Sequence, residues 1–135
     1  MRRFASDMFA ARNIDFVFRA PAADRDLKLS AGVRREVYLV FKEAVNNIVR
    51  HADCSRAEID FSRERDWLTL RVSDNGKGLP VCESGAGNGL PSMRARATAL
   101  GGEVTIAPTE GGGTTVALRV PLGRSRAFPW RVPSK

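Results

Sequence analysis

The sequence predicts an α/β fold: a two-layer α/β sandwich, with a mixed, mostly antiparallel sheet and helices on one face. Three observations lead there. Val33, Val37, Val40, Phe41, Ala44, Val45 and Ile48 recur at spacings of three and four, the repeat of one buried helix face. Ala57, Ile59 and Phe61, then Leu68, Leu70 and Val72, alternate with polar residues, the repeat of a strand pair. The elements follow one another as β-α-β-β-α-β-β with antiparallel neighbours, an order that lays helices against one side of a sheet.

Taken in order, Phe4, Met8 and Phe9 stand at helical spacing, so residues 1–12 are expected to be the end of a preceding helix or a linker. Ile14, Phe16 and Phe18 alternate with Asp15 and Val17 and predict a strand from Ile14 to Arg19. Pro21 to Lys28 is a polar loop. Ser30 is placed as the N-cap of a helix running to about His51, which Asp53-Cys54-Ser55 ends. The hairpin follows, turning at Arg63-Glu64-Arg65-Asp66. A glycine-rich stretch covers Asp74 to Gly89. A second amphipathic helix is expected from Leu90 to Leu100, closed by Gly101-Gly102. Strands Val104 to Ala107 and Thr114 to Val120 flank Gly111-Gly112-Gly113, and Pro121 ends the domain. The expected division is thus 1–12, one domain over 13–122, and a C-terminal extension over 123–135.

Composition narrows the function classes. A chain of 135 residues with 43% hydrophobic and 27% charged residues fits one globular domain. No apolar run approaches the roughly 18 residues of a membrane helix, and no long apolar stretch follows the charged start, as a signal peptide would require. A cytoplasmic location is expected, without membrane contact by this segment. Any membrane anchor would lie elsewhere in the gene. With two cysteines far apart and one histidine, a multi-histidine or zinc-finger centre is excluded. Any metal should be a hard cation held by oxygen, such as magnesium. The net charge of +7 is carried mostly by scattered arginines, without a basic stripe or stacking aromatics, so no nucleic acid partner is expected.

The long helix also carries a polar stripe. Glu43, Asn47 and Arg50 fall within about 60° of one another on a helical wheel, opposite the apolar face, with His51 beside them. An amide oxygen can ligate magnesium, a guanidinium can pair with phosphate, and a carboxylate one turn away can accept a proton. Taken alone, such a stripe is also an ordinary solvated face. Three glycine motifs accompany it. Asp74-Asn75-Gly76-Lys77-Gly78 follows a strand. Its aspartate is an acceptor only, suited to the exocyclic amine of adenine, although Asp-Asn-Gly is also common turn chemistry. Gly85-Ala86-Gly87-Asn88-Gly89-Leu90 precedes a helix, where glycines allow a lid and free amides favour phosphate. Gly111-Gly112-Gly113-Thr114-Thr115 offers a hydroxyl that could reach Asp74 or adenine through a water. No strand-loop-helix of the Walker type is present, so phosphate binding needs other architecture.

In this combination the motifs resemble a known family. Phe41-Lys42-Glu43-Ala44-Val45-Asn46-Asn47-Ile48-Val49-Arg50-His51-Ala52 resembles the N box of the ATPase superfamily of gyrase, heat-shock chaperone, histidine kinase and mismatch-repair protein. Asp74 to Gly78 resembles its first glycine box, and Gly113-Thr114-Thr115 its third. Gly87-Asn88-Gly89-Leu90-Pro91-Ser92-Met93-Arg94-Ala95-Arg96 resembles its second, in the form of nitrate-sensor and desaturase-sensor type histidine kinases. The resemblance implies a Bergerat-type ATP site in a sensor histidine kinase catalytic domain. Asn47 would be the magnesium ligand, and Glu43 the base or the group orienting the base's target. Arg50, where the family usually has lysine, would lie near the phosphates, with His51 close to the nucleotide. Asp74 would read adenine, and Gly76 and Gly78 would form the pocket floor. Gly87, Gly89 and Leu90 would lie in the lid region, and Thr114 would support the adenine contact. The implied cofactors are ATP and magnesium. The implied partners are a histidine-bearing dimerisation domain, absent here because His51 belongs to the N box, and a response regulator downstream. Two alternatives share the pocket: a stand-alone anti-sigma-factor-type serine kinase, and a module that binds ATP without transferring phosphate.

Overall fold

The computed structural model describes residues 1–20, 30–77, 89–109 and 111–122. Helix α1 (Arg2–Ala10) leads into strand β1 (Asp15–Arg19), helix α2 (Ala31–Asn47) with a π-helical turn over Ile48–Ala52, strands β2 (Arg56–Glu64) and β3 (Trp67–Asp74), helix α3 (Gly89–Ala99), and strands β4 (Glu103–Pro108) and β5 (Thr114–Pro121). The five strands form one sheet in the order β1-β2-β3-β5-β4. β1 runs parallel to β2, and every other pairing is antiparallel.

Period-two alternation sets the layers. Ile59, Val72 and Val116 lie in register across three strands and are all buried. Their chain neighbours Glu58, Ser73 and Thr115 point to the other face. The buried face meets α2 through Val37, Val40, Phe41, Ala44 and Val45, and α3 through Met93 and Ala97, in one continuous core. The outer face is polar, with Arg19 reaching Asp60 at 2.8 Å and the Arg119 guanidinium 4.2 Å from the centre of the Trp67 ring.

The helix ends are made by the expected chemistry, with local departures. The Ser30 hydroxyl accepts from the Val33 amide at 3.2 Å, an N-cap. At the end of α3 the Gly101 amide donates to Thr98 and the Gly102 amide to Ala97, with Gly101 at φ +77, a Schellman closure. The same closure ends α1, with Asn13 at φ 59 and the Ile14 amide bonded to the Phe9 carbonyl. Ile14 therefore belongs to the helix stop, and the strand begins at Asp15 rather than at Ile14. The hairpin turns on Arg65-Asp66 alone, because Glu64 still pairs with Trp67. Pro121 likewise stays within β5, opposite Trp67.

Helix α1 packs onto the same core. Ala5 and Phe9 are fully buried in it, and Phe4 sits edge-on to Tyr38 and Phe41 of α2, with ring centres 6.2 and 6.1 Å away.

Candidate nucleotide site

The site is built where α2 ends above the meeting ends of β3 and β5. Ala44, Asn47 and Ile48 from α2 and its π turn, Val72 and Asp74 from β3, and Thr114 and Val116 from β5 line one narrow cleft. Amphipathicity explains how they meet. Ala44 and Ile48 belong to the apolar stripe that packs on the sheet, and Asn47 borders that stripe at its end. Val72 and Val116 are core residues whose strands continue outward to Asp74 and back to Thr114.

Asp74 is 6% exposed, and burial raises its carboxyl pKa above the usual range. The Gly76 amide, 2.8 Å from Oδ1, and the Thr114 amide oppose that shift by donating to the carboxylate. Gly76 thus contributes an amide that holds Asp74, while Thr114 both lines the cleft and supports the aspartate. The glycine turn is a steric necessity here. Gly113 has φ +101, and a Cβ on it would lie 1.9 Å from the Asp74 carbonyl oxygen. The third glycine motif therefore packs directly against the first.

Asn47 is 9% exposed. Among the described residues its side-chain amide has no hydrogen-bond partner, which is unusual for a buried polar group. One turn earlier, Glu43 is partly exposed and forms an ion pair with Arg50, Nη2 to Oε2 at 3.5 Å. The stripe therefore keeps Glu43 and Arg50 together although the last turn widens into a π turn, a distortion often found at functional sites. The His51 backbone lies in that turn, and its side chain is outside the described residues. Gly89 and Leu90 open α3, with the Leu90 side chain likewise outside the described residues, and Gly78 and Gly87 fall outside them altogether.

The structure adds residues that the motif reading passed over. Asn75 is the main one. Its Oδ1 accepts from the Ser55 amide at 3.1 Å and the Arg56 amide at 3.0 Å, and its Nδ2 donates to the Ser55 hydroxyl at 3.2 Å. Its own amide donates to the Arg56 carbonyl. The apolar walls are Ala44, Ile48, Val72 and Val116, core residues of α2, its π turn and the two strands. Cys54 lies near Asp74: burial first, and the aspartate's charge second, push its thiol pKa up.

A sandwich with this cleft defines a class. The chain belongs to the family of histidine kinase-, DNA gyrase B- and HSP90-like ATPases, which it matches over residues 32–124. Among individual proteins, it is 32% identical over 101 residues to the sensor protein VraS of Staphylococcus haemolyticus, covering 74% of this chain and 29% of that protein. It is 33% identical over 99 residues to the sensor histidine kinase LiaS of Bacillus subtilis, covering 73% of this chain and 28% of LiaS. The chain thus spans less than a third of the length of these relatives. In fold it is similar to the histidine kinase domain of the blue-light activated kinase EL346 of Erythrobacter litoralis, with a TM-score of 0.75 at 23% identity over 90% of this chain and 58% of that one. It is also similar to the nucleotide-free catalytic domain of histidine kinase ThkA, with a TM-score of 0.70 at 21% identity over 88% and 89% of the two chains.

Proposed function

We propose that this chain binds Mg-ATP in the α2–β3–β5 cleft and donates the γ-phosphate to a histidine on a separate dimerisation domain, in two-component signalling. The observation that carries the reading is the meeting, in one cleft, of the buried Asp74 carboxyl with the buried Asn47 amide, which has no hydrogen-bond partner among the described residues. Family membership and the sensor-kinase relatives support it.

Asp74, held by two amides, accepts a hydrogen bond from the exocyclic amine of adenine and repels the carbonyl of guanine. The apolar walls Val72, Val116, Ile48 and Ala44 pack on the base. The Asn47 amide suits a hard cation: its oxygen is a neutral ligand on the polar side of the cleft. Among the described residues no group of three or more histidine, cysteine or acidic side chains gathers around it. A magnesium ion here would therefore take most of its ligands from phosphate and water, and would neutralise phosphate charge. Arg50 turns from Glu43 to the phosphates, which frees Glu43 to orient the incoming imidazole or take its proton. By the family resemblance, His51 would lie close to the nucleotide, Gly78 in the pocket floor, and Gly87, Gly89 and Leu90 in the lid region. The remaining catalytic effect is positioning.

The phosphoacceptor domain and the response regulator are partners supplied from outside this segment. No described helix is long and apolar enough to cross a membrane, and a reaction that consumes ATP fits the cytoplasm. The test is Asp74→Ala. Removal of one charged hydrogen bond, about 1.5–3 kcal/mol, should weaken ATP binding roughly ten- to hundredfold in calorimetric titration with magnesium. Unchanged affinity would overturn the adenine-reading role.

A further inference from the structure

We propose that Asn75 is a positioning residue for base selection: its side chain locks the adenine-reading turn to the segment that leaves the N-box helix. The inference rests on the ATP-site reading above.

The geometry that carries it is a four-bond clamp. Asn75 is exposed, yet its carboxamide is almost fully used: Oδ1 accepts from two consecutive amides, Ser55 and Arg56, and Nδ2 donates to the Ser55 hydroxyl. The Asn75 amide closes the clamp on the Arg56 carbonyl. These bonds span 20 residues of sequence and join two pieces of backbone that end at the site. On one side, Asp74 immediately precedes Asn75, and Gly76 immediately follows it with the amide that holds Asp74. On the other side, Ser55 follows Asp53, the left-handed residue that ends the π turn carrying Arg50 and His51. A shift of the Asp74 turn relative to α2 must therefore break the Asn75 contacts.

The clamp also acts where the sheet ladder stops. Ala57 opposite Asp74 is the last β2–β3 pair, and beyond it a single main-chain bond, from the Asn75 amide to the Arg56 carbonyl, continues the register. The β5 side offers the steric Gly113 contact and the Thr114 amide, which donates to the Asp74 carboxylate. On the β2 side the fixed-direction side-chain hydrogen bonds come from Asn75. A hydrogen bond from a base amine weakens steeply with misalignment, so freedom in this turn costs base discrimination before it costs apolar stacking.

The experiment compares two nucleotides in the full chain: ATP, and purine riboside 5′-triphosphate, which lacks the exocyclic amine. Binding is measured for wild type, Asn75→Ala, Asn75→Ser and Asp74→Ala, with thermal unfolding recorded for each. Asn75→Ala should lower the ATP preference about tenfold, toward that of Asp74→Ala, while affinity for the amine-free nucleotide changes little. Asn75→Ser, with a short acceptor that cannot bridge both amides, should lie between, and it decides the matter if the alanine variant does not fold. A folded Asn75 variant that melts at lower temperature but keeps the wild-type preference overturns the proposal, because the clamp then serves stability alone. If Asp74→Ala itself leaves the preference intact, the adenine reading fails and the positioning role falls with it.

Discussion

At the scale of single residues, Glu43 and Asn47 differ in what their surroundings ask of them. Asn47 is buried in the cleft, and among the described residues its side chain has no hydrogen-bond partner, which suits the cation-ligand role proposed for it. Glu43 is partly exposed and paired with Arg50, so its carboxylate is available to exchange partners. An ion pair this exposed stabilises the fold by less than about 1 kcal/mol. Glu43→Gln keeps size and hydrogen bonding but loses the basic oxygen. ATP affinity should stay within about threefold of wild type, while phosphotransfer to an added histidine domain should slow by about 10²–10⁴-fold, the usual contribution of a general base. Single-turnover transfer of radiolabelled phosphate measures it. Transfer at the wild-type rate would remove Glu43 from the chemistry.

At the scale of elements, α2 was legible because its apolar residues repeat at three and four over several turns and a serine caps it. The hairpin was legible because its alternation is unbroken, and α3 because glycine pairs stop helices. Boundaries were less so. Ile14 alternates with Phe16 and Phe18, yet its amide is taken by the Phe9 carbonyl, a bond made possible by the left-handed Asn13. The π turn over Ile48–Ala52 leaves no period in so short a segment. The site motifs were readable as types. The clamp by Asn75 was not, because its partners Ser55 and Arg56 come together only through the β2–β3 pairing. Helix α1 offers a test at this scale. Phe9 is fully buried and stacks near Phe16, with ring centres 5.4 Å apart, so the helix is part of the core it covers. Phe9→Ala should destabilise the chain by about 3–5 kcal/mol, through lost burial and the cavity left behind. Urea unfolding followed by far-ultraviolet circular dichroism checks it. A loss below about 1 kcal/mol would mean that α1 detaches without disturbing the sheet.

At the scale of the whole molecule, stability and nucleotide binding make opposed demands on Asp74. Burial raises its pKa in the folded chain, so the folded state holds this proton more tightly than the unfolded one. Linkage then fixes the sign. Between the unfolded pKa and the raised folded value, the unfolded chain binds fewer protons at this group, so its contribution to stability falls as pH rises through that window. At neutral pH the ionised carboxylate costs the unliganded fold free energy. The adenine contact proposed for Asp74 is strongest with that same ionised form as acceptor. Asp74→Asn keeps an acceptor for the supporting amides while removing the buried charge. The unliganded variant should melt at a higher temperature than wild type at pH 7, and this advantage should shrink as pH is lowered toward 4. In millimolar Mg-ATP the order should reverse, because a ligand stabilises in proportion to its affinity for the folded state, and the variant has lost the negative acceptor. Scanning calorimetry of both proteins, with and without Mg-ATP, tests the pair of signs. If Asp74→Asn melts below wild type without nucleotide, the aspartate is already compensated by its two amides and the fold carries no such penalty. If the order without nucleotide is as expected but ATP fails to reverse it, the carboxylate does not read the base.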